Sequence, residues 1–278
     1  MTVCDLRHDI SLYHNDKMVN KINSKYVEIG ASTIHYLKCG KGDPLVIIHG
    51  GGGEASKGWL RILEELSDYF TVYIPDLPGF GDSKTARGDF HLLEFVDFMK
   101  DFSQKLGLKR FHLLGHSMGG GIALHYALAY PSHIKKLILL NSMCLGKEIA
   151  LWVRFLTSTA FYLWEAFPTF CKALGCLIRL PFNRNKSMTS FPSFRVELGN
   201  SIANFKGQNV VLLSRLPEPA MPTLLVCGAN DRLLPAGQAQ AAAEQIPDCR
   251  LHIFEECGHD VHKQKVFELS RLLQNFLG

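Results

Sequence analysis

The chain has 278 residues, 47% of them apolar, enough to bury a substantial core as one large domain or a domain with an insertion. Its formal charge of +4 comes from 30 basic and 26 acidic residues with no long basic tract, which leaves a nucleic-acid role without support. Eight cysteines (4, 39, 144, 171, 176, 227, 249 and 257) lack C-x-x-C spacing, and Asp5, Arg7, Asp9, Asp16 and Lys17 interrupt the opening segment where a secretory signal needs an apolar run, so reduced thiols and a cytoplasmic location are expected.

Residues 1–24 are expected to form an N-terminal arm. Tyr26–Ile29 and Ser32–Lys38 predict two short strands joined through Gly30 as a hairpin. Pro44–Ile48 predicts a buried strand ending in His49-Gly50-Gly51-Gly52-Gly53. Four successive glycines cost conformational entropy, so they imply a tight turn or close approach by a ligand. Ser56–Leu66 predicts a helix, Phe70–Ile74 a strand, and Asp76-Leu77-Pro78-Gly79-Phe80-Gly81-Asp82-Ser83 a shaped loop. Leu92–Leu106 has helical apolar spacing and stops before Gly107.

Phe111–Ala129, FHLLGHSMGGGIALHYALA, passes from an apolar run through Gly115-His116-Ser117-Met118-Gly119 into helical periodicity. This pattern predicts a strand, a sharp turn and a helix, with Ser117 exposed at the apex near the positive helix end. Ile134–Leu140 predicts the next strand. Residues 146–218 then change character: aromatics such as Trp152, Phe155 and Trp164 crowd a stretch with nine basic and four acidic residues. A helical lid is expected over 146–218, with the core formed by 25–145 and 219–278. Within it Ile149–Phe167 is the most membrane-like stretch, but Arg154 and Glu165 argue against a span and leave only peripheral contact. The core resumes with Pro222–Cys227 and Arg250–Phe254 as strands, and Ala236–Gln245 and Lys263–Phe276 as helices. Alternating strands and helices imply a mostly parallel sheet covered on both faces, with the loops after the strands on one edge.

An ordinary serine hydroxyl needs a base. His259 follows an apolar strand in a glycine-containing loop before a helix, whereas His116 adjoins the serine too closely in sequence to aim at it. Asp231, after another strand, is placed to orient the base; Asp260 is its rival. The Met118 N–H, with that of Gly51 or alternatively Gly50 or Gly52, is suited to bind an oxyanion. The glycines lack the G-K-S/T ending of a phosphate loop, and the scattered histidines form no metal-ligand pattern, so neither cofactor nor metal is expected. Gly50, Gly52, His116, Trp152, Arg184 and Arg195 are further candidates for contacting substrate, the arginines by clamping a carboxylate.

These motifs together, HGGGG at 49–53, DLPGFGDS at 76–83, GHSMGG at 115–120, GANDRLLP at 228–235 and GHD at 258–260, resemble the α/β-hydrolase superfamily from about residue 25 onward. The resemblance implies an α/β-hydrolase fold with an inserted helical lid. It also implies Ser117 as nucleophile, Asp231 as acid, His259 as base, and Met118 and Gly51 as oxyanion donors. The glycine loop and lid are also similar to those of meta-cleavage-product hydrolases, which split carbon–carbon bonds in dienoic keto acids. This chain has His116 and Asp260 where those enzymes commonly carry Asn and Trp. The leading expectation is hydrolysis of a small-molecule carboxylic ester or related carbonyl compound. Carbon–carbon hydrolysis of a keto-dienoate is the enzymatic alternative, and a noncatalytic hydrolase-fold binding protein the third. No feature of the sequence sets the oligomeric state.

Overall fold

The computed structural model describes residues 22–51, 54–86, 90–147 and 211–278. Residues 1–21 of the arm expected over 1–24, most of the expected lid including Ile149–Phe167, and Gly52, Trp152, Arg184 and Arg195 lie outside the described residues, while Asn23 and Ser24, expected in that arm, instead open a strand because they pair across a hairpin with Lys38 and Leu37.

Among the described residues eight strands form one sheet: β1 (Asn23–Ile29), β2 (Ser32–Cys39), β3 (Asp43–Ile48), β4 (Phe70–Pro75), β5 (Phe111–His116), β6 (Ile134–Leu140), β7 (Thr223–Gly228) and β8 (Cys249–Phe254). Their spatial order is β1-β2-β4-β3-β5-β6-β7-β8. The hairpin strand β2 runs antiparallel to both β1 and β4, while every pairing from β4 to β8 is parallel. The α/β-hydrolase fold expected from the sequence is the fold observed. Because the central strands are covered on both faces, they are continuous apolar runs rather than alternating ones; all six residues of β5 are buried.

The helices are α1 (Leu60–Leu66), α2 (Leu92–Lys105), α3 (Met118–Ala129), α4 (Ala236–Ala243), α5 (Val261–Gln264) and α6 (Val266–Leu277). One sheet face packs Val46, Ile48, Leu113 and Leu139 against α2, α3 and α4 through Phe95, Met99, Phe102, Ile122 and Ala239. The opposite face packs Leu45, Ile47, Leu114 and Ile138 against α1 and α6. Along α6 the buried side chains fall at 266, 269, 270, 273, 276 and 277, the spacing of one helical face. Leu269 and Leu273 are fully buried there, and each burial stabilises the fold by about 2 kcal/mol.

Two predicted helices are divided. The segment expected as one helix from Ser56 begins as a 3-10 turn, Ala55–Trp59, before α1. The segment expected as one helix from Lys263 is instead α5 followed by α6, broken at Lys265 (φ −129, ψ 48). This break re-aims the chain, so that Val261 and His262 are buried beside Trp59 while Leu269 and Leu273 still face the sheet. Near the expected lid boundary, Leu212 N–H donates to Cys144 O at 3.0 Å, and Leu212 and Leu216 join the core. That contact closes the neck of the insertion. None of the five described cysteines, Cys39, Cys144, Cys227, Cys249 and Cys257, is in a disulfide.

Candidate active site

Ser117 sits between β5 and α3 with φ 55 and ψ −117, a conformation that L-residues rarely adopt. Such strain costs on the order of 1–3 kcal/mol and persists only when neighbouring contacts hold it. Here the Ser117 N–H donates to Leu140 O at 3.0 Å, and its carbonyl accepts from Gly120 at 3.0 Å, Gly121 at 3.3 Å and Met143 at 3.0 Å. Close packing requires the glycines on either side. A Cβ at Gly115 would strike the Gly119 carbonyl, and one at Gly119 would strike the carbonyl oxygens of Ile48 and His49.

The loop after β3 lies directly against this turn: a Cβ at Gly50 would stand 3.1 Å from Ser117 Cβ and 3.0 Å from His116 Nδ1. His49 shapes the loop. Its Nδ1–H donates to Gly50 O at 2.6 Å, and its Nε2 accepts from Leu77 N–H at 3.0 Å. Burial lowers the His49 pKa, in keeping with a neutral ring that donates from one nitrogen and accepts at the other. Met118 occupies the first position of α3, where backbone N–H groups have no intrahelical acceptor. The positive helix end and Gly50 therefore lie beside Ser117, a setting that favours developing negative charge.

His259 and Asp231 arrive on the loops after β8 and β7. His259 Nδ1–H donates to Asp231 Oδ2 at 2.8 Å. The Asp231 side chain is fully buried, and the imidazole is 22% exposed. Burial alone would raise the Asp231 pKa. The hydrogen bond and charge of His259 and the backbone N–H groups of Leu234 and Leu233 outweigh it, holding the carboxyl below its ordinary value. Those N–H groups donate to Oδ1 at 3.0 and 2.7 Å. An anionic Asp231 makes His259 Nδ1 the donor, so the neutral ring keeps its lone pair on Nε2. Asp260, the rival acid, makes no such bond among the described residues.

Two contacts were not legible in sequence. Asn141, just past β6 with φ 42, donates from Nδ2 to Asp231 Oδ2 at 2.6 Å. A polar residue immediately after an apolar strand was its one available signal. His116 bonds elsewhere than to the serine: its Nε2–H donates to the backbone carbonyl of His259 at 3.1 Å. The serine turn and the histidine loop are thereby pinned together. Behind them His262 stacks on Trp59 with centroids 4.3 Å apart and planes at 10°. Burial, reinforced by His262 and His259, puts the His116 pKa well below its ordinary value. Burial also lowers that of His262 to about 3, with Lys263 and His259 adding to the effect.

The fold gathers two sets of potential metal donors that sequence spacing did not reveal: His116, Asp260 and His262, and His35, Asp76 and Asp82, with donor atoms within 4.8 Å of one another in each. In the first, His116 Nε2 already serves the His259 carbonyl; in the second, His35 Nδ1 is hydrogen-bonded to Asp76 at 2.7 Å. Among the described residues no helix is long and apolar enough to cross a membrane.

Residues 43–266 match the family model for the alpha/beta hydrolase fold. The chain belongs to the α/β-hydrolase family. Among its curated relatives, this α/β-hydrolase is 26% identical over 276 residues to a 2-hydroxy-6-oxononadienedioate/2-hydroxy-6-oxononatrienedioate hydrolase of Pseudomonas sp, covering 92% of this chain and 96% of that protein. Among solved structures, the S103A mutant of a meta-cleavage product hydrolase from Pseudomonas fluorescens IP01 superposes with TM-score 0.72 at 21% identity, covering 91% of this chain and 97% of the other. A carboxylesterase from Bacillus subtilis superposes with TM-score 0.71 at 18% identity, covering 98% and 95%. At such identities the two superpositions establish the shared fold alone.

Proposed function

We propose that this α/β-hydrolase cleaves a carbon–carbon bond beside a ketone in a meta-cleavage-type keto-dienoate, using Ser117 as nucleophile, His259 as acid and base, and Asp231 as the group that orients the base. The observation that carries the serine-hydrolase part is the Asp231–His259 hydrogen bond at 2.8 Å on the same sheet edge as the strained serine. The choice of bond rests on the nearly full-length likeness to a relative named for a 2-hydroxy-6-oxo-dienoic substrate. Ester hydrolysis, first in the reading of the sequence, becomes the second reading. It draws on the same constellation and on the carboxylesterase that shares the fold.

In the proposed reaction Ser117 Oγ attacks the ketone carbon as His259 Nε2 takes its proton, and the Met118 and Gly51 N–H groups receive the oxyanion. Collapse of the tetrahedral adduct breaks the adjacent carbon–carbon bond. Before collapse the dienol has tautomerised to its 2-oxo form, with its proton on the carbon next to the ketone, so the electron pair of the broken bond passes through the enone onto the 2-oxo oxygen; His259 protonates that oxygen to leave a dienol, and water then hydrolyses the acyl-serine. With an ester the same steps release an alcohol. The bond broken depends on which leaving group the substrate offers.

Supplying a keto-dienoate and an aryl ester of matched acyl group, with products identified by mass spectrometry, separates the readings. Keto-dienoate turnover with kcat/KM at least equal to that for the ester supports carbon–carbon hydrolysis, and ester turnover alone transfers the assignment to the second reading. S117A is expected to lose nearly all turnover on either substrate. Undiminished turnover by S117A refutes the nucleophile. Failure of the wild type to react with either substrate or with a serine-directed phosphonate, while still retaining ligand, supports the noncatalytic alternative.

A further inference from the structure

We infer that Ser24, His35 and Asp76 form a second serine–histidine–aspartate relay, and that Ser24 is a site of covalent acylation by activated esters. The three residues come from β1, β2 and the end of β4, at the far side of the sheet from β7 and β8. Ser24 Oγ lies 2.9 Å from His35 Nε2, and His35 Nδ1 lies 2.7 Å from Asp76 Oδ2. The pairing of Tyr26 with His35 puts Ser24, two residues earlier, on the same sheet face as the imidazole.

The surroundings of Asp76 resemble those of Asp231. Its Oδ1 accepts from Ser56 N–H at 2.8 Å, and its Oδ2 accepts from Asp82 N–H at 2.8 Å as well as from His35. Burial would raise its pKa, but the hydrogen bond and charge of His35 and the Asp82 N–H prevail, so the carboxyl is held below its ordinary value. His35 Nδ1–H faces the Asp76 carboxylate and Nε2 faces Ser24 Oγ; in the tautomer with its one proton on Nδ1, Ser24 O–H donates to Nε2, the polarity that general-base activation needs. Two further bonds lock the frame: His35 N–H donates to Ser83 Oγ at 3.0 Å, and Ser83 O–H donates to Asp76 O at 2.7 Å.

Burial grades outward along the relay. Asp76 and His35 are buried, Ser24 is half-buried, and β1 is the terminal strand of the sheet. In the proposed step an activated ester presents its carbonyl to the half-buried hydroxyl. Ser24 Oγ then bonds to the carbonyl carbon while His35 Nε2 takes the hydroxyl proton. The bond to the leaving oxygen breaks, and that oxygen departs with the proton from His35. An acyl-serine and a free alcohol remain, with Asp76 anionic throughout.

S117A removes the proposed nucleophile of the principal site and so makes this test independent of the proposed function. Incubated with p-nitrophenyl acetate, S117A is expected to gain an acetyl group that peptide mass spectrometry maps to Ser24. S117A/S24A should lack it. S117A/H35N, whose amide can still donate to Asp76 but has no basic nitrogen, should acquire it about a hundredfold more slowly. Absence of acetyl from Ser24 in S117A, or an equal rate in S117A/H35N, overturns the relay. If circular dichroism shows that H35N disturbs the fold, the comparison within S117A decides: acetylation of Ser24 no faster than that of exposed serines also overturns it.

Discussion

Protonation of His262 provides a quantitative test of the packing behind the site. The ring is 4% exposed, and its pKa is lowered from 6.5 to about 3, chiefly by burial and secondarily by the charges of Lys263 and His259. Below 6.5 the unfolded chain takes up a proton that the folded ring refuses until about pH 3, so this contribution to stability is whole above 6.5 and is lost as the pH falls toward 3. Comparing the binding polynomials of the two states gives a loss of about 2 kcal/mol at about pH 5 and under about 0.1 kcal/mol at about pH 7.5. His262→Gln removes the titration. Urea unfolding of each protein at about pH 7.5 and about pH 5 should therefore show the wild type losing about 2 kcal/mol more than the variant. Each protein serves as its own reference, so any packing cost of glutamine cancels. Equal losses would refute the assignment of His262 as a ring kept neutral by the fold.

Other consequences follow from the elbow and the acid. Asn141→Gly keeps a residue suited to φ 42 while deleting the 2.6 Å bond to Asp231, so the carboxyl pKa should rise and kcat on the confirmed substrate should fall about tenfold. An unchanged kcat and unchanged acid limb of the pH profile would remove Asn141 from the site. Gly115→Ala drives a methyl into the Gly119 carbonyl and Ala123, and should cost about 3 kcal/mol or abolish folding; a denaturation midpoint equal to that of wild type would contradict the described packing. By contrast, Glu54→Gln breaks only the exposed 2.6 Å pair with Lys263, and its urea midpoint should correspond to a loss below about 1 kcal/mol.

Much of this architecture is local chemistry written along the chain. Apolar runs such as Ile134–Leu140 can bury both faces only as central strands, and the change of periodicity around Ser117 marks a strand turning into a helix. The loops carrying Ser117, Asp231 and His259 were legible because each follows such a run in a glycine- or turn-rich segment. The break at Lys265 was not, because helical spacing continues through it and only the simultaneous burial of His262 and Leu273 requires two axes.

Sequence by itself determined the strands, the helix turning from Ser117, their faces and the residue types at the sheet edge, since those depend on side chains a few positions apart. Tertiary structure alone decided that Asn141 reaches Asp231, that His116 clasps the His259 carbonyl, and that Ser24 meets His35 and Asp76. Each of these bonds joins groups separated along the chain, and a hydrogen bond forms only within about 3 Å, so its partners are chosen by strand order and crossover rather than by sequence neighbours.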